Sequence, residues 1–209
     1  MPSPANLDLI GYEYPLSERV RTLLRLEDLY HKACFFTAKP EAAENHVALV
    51  LLFDILEVAG RADLKSDLLK ELERHRAQLQ GYRGNPHISE AALDQVTARL
   101  DHARHGLNQM QGKAGQSLAT NDWLMSIRSR ISIPGGTCEF DLPAYYAWQQ
   151  YTPERRRADL QGWTSTLAPL AEALGALMGL LRDSGAPQRM VATGGQYQQS
   201  LPQNKTYQL

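Results

Sequence analysis

Residues 132–143 read Ser-Ile-Pro-Gly-Gly-Thr-Cys-Glu-Phe-Asp-Leu-Pro, and this stretch, called the corner below, lies between two helix patterns. Pro134 fixes a φ angle that suits the second position of a tight turn, and Gly135 can take the positive φ that a type II turn requires next. Asp141 can accept hydrogen bonds from the first amides of a following helix, where Pro143 fits the first turn. The corner is therefore predicted to end one helix and cap another.

The corner also carries two features that are typical of chemical sites. Its paired glycines suggest a phosphate-binding loop, but no lysine follows them and the strand, Gly-rich loop and Lys-Ser/Thr pattern is absent. Cys138 is a candidate nucleophile, yet no local base accompanies it, and lone cysteines commonly act as small buried hydrophobic residues. These residues favour a structural role for the corner.

Helices are predicted directly before the corner and directly after it. Apolar residues at four-residue steps predict a helix over about 121–131, and a short aromatic helix is predicted over 144–151. Thr152 can cap the next helix. Pro169 is expected to kink or divide that helix before an Ala- and Gly-rich helix over 170–181.

Four more helices are predicted towards the N-terminus. Ser17 caps the first of them, and the second opens near Pro40 and stops at Gly60. Asp63 caps the third and Ser89 caps the fourth. Each helix has a stripe of apolar residues at steps of three and four, so each is expected to bury one face.

The two ends of the chain have a different pattern. Residues 7–14 alternate with the period of a short strand, and 189–192 with 196–199 flank Gly194-Gly195, which is a hairpin signal. A third strand is predicted to begin at Thr206.

The fold class that follows is α+β and predominantly α-helical. A helical domain is expected over 15–184, and a small antiparallel β part is expected to combine 7–14 with 186–209.

Composition excludes several classes of protein. The chain has 209 residues, of which 43% are hydrophobic and 22% charged, with a formal net charge of -1. This balance is typical of ordinary soluble globular proteins and disfavours a nucleic-acid partner. The N-terminus lacks a signal-peptide pattern, and the apolar runs are too short or interrupted to insert across a membrane. Two cysteines without CxxC spacing fit a reducing compartment, and no disulfide is expected.

The titratable residues do not form a recognisable catalytic or metal-binding motif. Of the six histidines, His102 and His105 could share a helix face, but no third ligand with suitable spacing accompanies them. The serines have no Gly-x-Ser-x-Gly elbow. We therefore expect no catalytic residues, no cofactor, no bound metal and no enzymatic activity.

Arginine clusters are the remaining signal of a binding surface. Arg19, Arg21 and Arg25 lie within two turns of the first helix, and Arg128 and Arg130 precede the corner. The planar guanidinium binds carboxylates in a bidentate manner, which suits a carboxylate-rich or extended peptide partner. A third run over 155–157 is a weaker candidate, because consecutive helix residues point in different directions.

Three separated stretches closely resemble the ZapD family of bacterial cell division proteins. They are the corner, Tyr-Pro-Leu-Ser-Glu-Arg-Val-Arg-Thr-Leu-Leu-Arg-Leu-Glu at 14–27, and Asp-Leu-Lys-Ser-Asp-Leu-Leu-Lys-Glu-Leu-Glu-Arg at 63–74. The resemblance implies a non-enzymatic, cytoplasmic homodimer that acts at the mid-cell division site. Such a protein binds the C-terminal tail of the tubulin-like GTPase FtsZ and bundles FtsZ filaments, since two binding faces per dimer give avid bridging.

The resemblance also indicates which residues contact the partner. It favours Arg21 and Arg25 as contacts of the FtsZ tail, with Arg128 and Arg130 second. Family members usually continue past the position of Leu209 with further strands, so the β part is expected to be incomplete at its C-terminal end.

Two other functions are consistent with parts of the sequence. A helical hydrolase or small-molecule-binding protein would use Cys138 as a nucleophile, with a histidine within hydrogen-bond distance. A nucleic-acid binder would need a steep loss of affinity with salt, and the near-neutral charge disfavours it.

Overall fold

A computed structural model describes residues 10–61, 63–202 and 208–209. The described residues form nine helices, which confirms a predominantly helical chain. The helices are α1 Glu18–Thr37, α2 Ala42–Ala59, α3 Leu64–Gln80, α4 Glu90–Gln109, α5 Gln116–Ala119, α6 Asp122–Ile131, α7 Pro143–Gln149, α8 Pro153–Ser165 and α9 Ala168–Asp183.

Most of the predicted helix starts are confirmed by their caps. The side chain of Ser17 accepts a hydrogen bond from Val20 N at 3.2 Å, and Ser89 caps α4 in the same way. Thr152 caps α8, with Pro153 in its first turn. Asp63 precedes α3 at the expected position, but its side chain makes no capping hydrogen bond. The short helix α5 was not predicted from the sequence.

One hydrophobic core holds the helices together. Helices α1 and α2 form an antiparallel hairpin across a four-residue connection, and α9 packs against α1, α3 and α4. Fully buried side chains from all of these helices meet in the centre, with Leu26, Leu52 and Leu72 completely inaccessible. At about 25 cal/mol per Å², burial of apolar surface is the main stabilising contribution here.

Pro169 divides the last two helices as the sequence predicts. Helix α8 ends at Ser165, and Pro169 lies in the first turn of α9. Gly179 of α9 leaves room for the Arg99 guanidinium of α4, which donates to Gly175 O at 2.9 Å. Among the described helices, none alone has the length and apolarity to span a bilayer, and α8 and α9 pass that test only as a pair bent by 66°.

The predicted β part is not present as strands in the described residues. Gly194 and Gly195 both have positive φ, and Thr193 and Gln196 form one isolated antiparallel bridge, so the predicted turn is there without its strands. No described strand lies alongside residues 10–14, 189–192 or 196–199 to supply ladder hydrogen bonds, and an isolated hairpin is marginal on its own. Residues 7–9 and Thr206 of the predicted strands lie outside the described residues.

The two terminal segments are nevertheless attached to the helices. Arg182 at the end of α9 forms ion pairs with Glu13 before α1 and with Glu27 within α1. The hydrogen bond from Arg182 lowers the pKa of the Glu13 carboxyl below its usual value. Leu16 N donates to Gln208 O at 3.0 Å, so the two ends of the chain meet beside the start of α1.

Candidate functional site

The corner is a tight link between α6 and α7. Gly135 takes the predicted positive φ of 71°, and Gly136 is packed so closely that a Cβ there would lie 2.7 Å from Arg130 O. The predicted cap at Asp141 is wrong. Leu142 occupies the N-cap position without a side-chain cap, and Asp141 Oδ1 lies 3.7 Å from Arg130 Nη1 instead. The carboxylate therefore joins the two sides of the corner.

Cys138 is exposed on the corner, but the structure does not place it in a catalytic arrangement. Its backbone N–H donates to Gly135 O at 3.1 Å and belongs to the turn. Within the described ranges no histidine makes a hydrogen bond to its thiol, which the hydrolase hypothesis requires. The described geometry gives this alternative no support.

Arg21 and Arg25 lie one turn apart near the start of α1. Arg21 Nε is 3.3 Å from Glu18 Oε1 in the preceding turn, an exposed pair of the kind that contributes at most about 1 kcal/mol. Arg25 is exposed and has no ion-pair partner among the described residues. Of these two side chains, Arg25 is the more available to a carboxylate from outside.

Arg128 and Arg130 each face an acidic residue. Arg128 Nη2 lies 3.7 Å from Glu57 Oε2 in the last turn of α2, and Arg130 is paired with Asp141. Because α1 and α2 are antiparallel, the last turn of α2 lies beside the first turns of α1. Arg128 therefore lies at the same end of the hairpin as Arg21 and Arg25.

The run over 155–157 does not form a surface patch. Arg155 stacks on the Tyr151 ring at 3.7 Å from its centroid, and Arg157 donates to Ala38 O at 2.9 Å. Arg156 is buried, and its Nε donates to Asn45 Oδ1 at 2.8 Å. The three side chains point in different directions, as helix geometry requires, and Arg156 is a structural residue.

The structure also shows a cationic cavity that the sequence did not reveal. This cavity, of about 230 Å³, lies between the end of α2, the start of α3 and the loop that precedes α5. Its polar side chains are Arg61, Lys65, Ser66 and Lys113, and no carboxylate is among its described lining residues. Lys65 Nζ donates to Met110 O, which holds the loop against α3.

None of the three cations of the cavity has an ion-pair partner among the described residues. Uncompensated positive charge around a concave surface favours binding of an anion or a carboxylate. Arg61 and Lys65 are one turn apart in sequence, but Lys113 comes from a distant loop, so local patterns could not bring the three together.

His46 of α2 and Tyr145 of α7 form a polar contact within the aromatic packing of the helices. His46 Nδ1 lies 2.6 Å from Tyr145 Oη, beside stacked Trp123 and Trp163. Burial lowers the pKa of the His46 imidazole and raises the pKa of Tyr145 to about 12. Of the predicted histidine pair, His102 faces Glu172 at 3.5 Å. In the described part of the chain no three His, Cys, Asp or Glu side chains cluster as metal ligands would.

Comparison with protein-family models identifies the chain. The model described as ZapD, cell division protein, matches residues 24–209, which covers all of the helices after the first turns of α1. Arg25, Arg128, Arg130 and the cationic cavity lie inside the matched region, whereas Arg21 precedes it. The match extends over most of the chain, and the protein belongs to the ZapD family of non-enzymatic cell division proteins.

Proposed function

We propose that this protein is a division adaptor that binds the C-terminal tail of FtsZ and, as a homodimer, cross-links FtsZ filaments into bundles. Membership of the ZapD family supports an FtsZ-related role. The site of action would be the cytoplasmic division ring at mid-cell. Bivalency explains the activity, because two weak tail contacts held in one dimer bridge neighbouring filaments with high avidity.

The family match is the observation that carries the proposal, and the cationic cavity offers a surface that a carboxylate can contact. A C-terminal tail always ends in an α-carboxylate, and an acidic tail adds further carboxylates. Arg61, Lys65 and Lys113 offer positive charge that no described carboxylate neutralises. Arg21, Arg25 and Arg128 lie towards the same end of the α1–α2 hairpin, so they are suited to contact the residues that precede the terminal carboxylate.

Binding and bundling can be measured separately. Fluorescence anisotropy of a labelled FtsZ tail peptide reports binding, and co-sedimentation with polymerised FtsZ reports bundling. Because each lost or reversed contact is worth about 1 kcal/mol or more, Arg61→Glu combined with Lys113→Glu should weaken tail binding at least tenfold. Arg83→Glu combined with Lys32→Glu is the matched control, because it makes the same change in net charge at exposed residues that do not line the cavity.

The oligomeric state needs its own measurement. Sedimentation equilibrium should show a dimer at the concentrations that bundle FtsZ. A monomer that still increases pelleted polymer would contradict cross-linking by a dimer, and a dimer that adds no pelleted polymer would contradict the bundling function.

A further inference from the structure

The loop between α4 and α5 is held firmly at the edge of the cationic cavity. Besides the hydrogen bond that this loop accepts from Lys65, Lys113 N donates to Gln116 Oε1 at 3.2 Å. Gly115 takes a positive φ of 76°, and a Cβ at this position would overlap Leu56 Cδ2 of α2. The loop is therefore packed against both α2 and α3. The cavity is formed before any ligand binds, which lowers the entropic cost of binding.

The donors of the cavity come from three separate segments of the chain. Arg61 belongs to the connection between α2 and α3, Lys65 to the first turn of α3, and Lys113 to the loop after α4. Ser66 adds a hydroxyl to the lining. Donors on several sides of a cavity match a tetrahedral anion better than a planar carboxylate. The volume of about 230 Å³ is several times the roughly 30 Å³ that a water takes in the liquid, so a phosphate group fits.

The charge of the cavity favours an anion with more than one negative charge. Its lining contains three cationic side chains and, among the described residues, no carboxylate. Asp63 and Asp67 are the nearest acidic residues in the sequence, but neither lines the cavity, and Asp67 lies 3.7 Å from Lys70 instead. A carboxylate carries one negative charge, whereas a phosphomonoester carries about 1.5 to 2 at pH 7. A phosphate group therefore compensates more of the positive charge.

The start of α3 adds backbone donors to the same cavity. The side chain of Asp63 makes no capping hydrogen bond, so the chain itself does not cap the first N–H groups of this helix. Lys65 N has no backbone acceptor among the described residues. The N–H groups and the positive end of the dipole at a helix N-terminus both attract phosphate. They supplement the three cationic side chains.

We infer that the cationic cavity is a binding site for a phosphate group, either free phosphate or the end of a phosphomonoester, and that bound phosphate excludes the carboxylate of a tail. Arg61 and Lys113 bind the phosphate oxygens through their exposed ends, and Lys65 and the first turn of α3 bind them from the helix. Phosphate binding follows from the cavity alone, whereas the exclusion of the tail rests on the proposed function. Bound phosphate then lowers the apparent affinity of this protein for the tail.

Isothermal titration calorimetry of the full chain measures the binding of inorganic phosphate, phenyl phosphate and acetate at constant ionic strength in a phosphate-free buffer. At least one of the two phosphates should saturate a single site per chain and bind at least fivefold more tightly than acetate, because it carries more charge. The tighter of the two identifies the ligand as the free anion or the ester. Equal affinities for acetate and both phosphates, or heats that do not saturate, would overturn the phosphate site.

A charge-removing variant tests whether the cavity is the site. Arg61→Gln combined with Lys113→Gln should weaken phosphate binding at least tenfold. Both side chains are exposed and make no described hydrogen bond, and Lys65 is left intact because it holds the loop. The matched control combines Arg83→Gln with Lys32→Gln, which removes the same charge from exposed residues outside the cavity and should change binding less than twofold. Equal weakening by both variants would mean attraction by net charge alone and would overturn the site.

The position of the ligand can be located without measuring an affinity. Backbone amide shifts in ¹H–¹⁵N spectra of the full chain are followed while the tighter-binding phosphate is added. The largest shifts should fall within 63–66 and 112–114, where the backbone borders the cavity. Shifts confined to other parts of the chain contradict the site.

Competition with the tail is measured by fluorescence anisotropy of a labelled FtsZ tail peptide at constant ionic strength. At a phosphate concentration nine times its own dissociation constant, the apparent dissociation constant of the peptide should rise about tenfold, as mass action requires for one shared site. The variant at Arg61 and Lys113 should lose this sensitivity. Peptide binding that saturating phosphate leaves unchanged would overturn the exclusion. If the peptide does not bind even without phosphate, the proposed function and the exclusion fail, while calorimetry and the amide shifts still decide the phosphate site.

Discussion

Arg156 Nε donates a 2.8 Å hydrogen bond to Asn45 Oδ1, and both side chains are buried. Asn45 in turn donates to Lys39 O at 3.0 Å, and Arg156 also donates to Pro40 O. This buried pair therefore connects α8 to the connection between α1 and α2. It keeps the hairpin closed at the end opposite to the cationic cavity.

Removal of the Arg156 donors should be strongly destabilising. Arg156→Met keeps most of the side-chain volume but leaves the carbonyl groups of Pro40, Gln149 and Tyr151 without their donor. We expect a loss of about 3 kcal/mol in the free energy of unfolding, measured by urea denaturation. Arg155→Met, which removes only an exposed stacking contact with Tyr151, should cost less than about 1 kcal/mol. Equal losses for the two variants would contradict the structural role of Arg156.

Contacts between residues that are close in the sequence could be predicted for this chain, whereas contacts between distant residues could not. The caps at Ser17, Ser89 and Thr152 were predictable because a cap is a contact across three residues. The buried state of Arg156 was not, because two of its partners, Asn45 and Pro40, are more than one hundred residues away in the sequence. The cationic cavity was missed for the same reason, since Lys113 joins Arg61 only in the folded chain. The strands predicted near both ends of the chain were wrong for the described residues. An alternating pattern permits a strand, but a strand also needs a neighbouring strand to hydrogen-bond with.

Gly136 should be the least replaceable residue of the corner. In Gly136→Ala the new Cβ would lie 2.7 Å from Arg130 O and 2.8 Å from Ile133 Cβ, so the backbone of the turn has to move. We expect a loss of about 2 kcal/mol in thermal or urea unfolding. Gly162→Ala is the control, because Gly162 lies within α8 with no atom near its Cβ position, and this change should stabilise by about 0.5–1 kcal/mol. Changes of the same sign would refute this account of the corner.

His46 should make stability depend on pH. Burial lowers its pKa below the ordinary value of 6.5, so below that pH the unfolded chain binds a proton that the folded chain resists. The free energy of unfolding therefore has its full value, as far as His46 is concerned, above pH 6.5. Part of it is lost as the pH falls below 6.5 and through the lowered pKa of the folded state. His46→Gln removes this titration while retaining a polar partner for Tyr145.

The measurement is the difference in unfolding free energy between the native chain and His46→Gln at several pH values. The unfolding free energy of the native chain, relative to that of His46→Gln, should decrease as the pH falls from about 7.5 to about 5.5. Contributions from His75, whose pKa is also lowered by burial, are the same in both proteins and cancel. A difference that stays constant across this range would mean that the buried imidazole is not the titrating group.

Arg25 should matter more to tail binding than Arg128. Arg25 has no described counter-ion, whereas Arg128 faces Glu57 at 3.7 Å and adds little net charge locally. Arg25→Gln should therefore weaken binding of an FtsZ tail peptide about fivefold, the effect of losing roughly 1 kcal/mol. Arg128→Gln combined with Glu57→Gln leaves the net charge unchanged and should alter the affinity less than twofold. Fluorescence anisotropy at constant ionic strength measures both, with circular dichroism to verify folding. The opposite result would be that the double replacement at Arg128 and Glu57 weakens binding more than Arg25→Gln does. Arg128 would then contribute more to tail binding than Arg25, which contradicts this prediction.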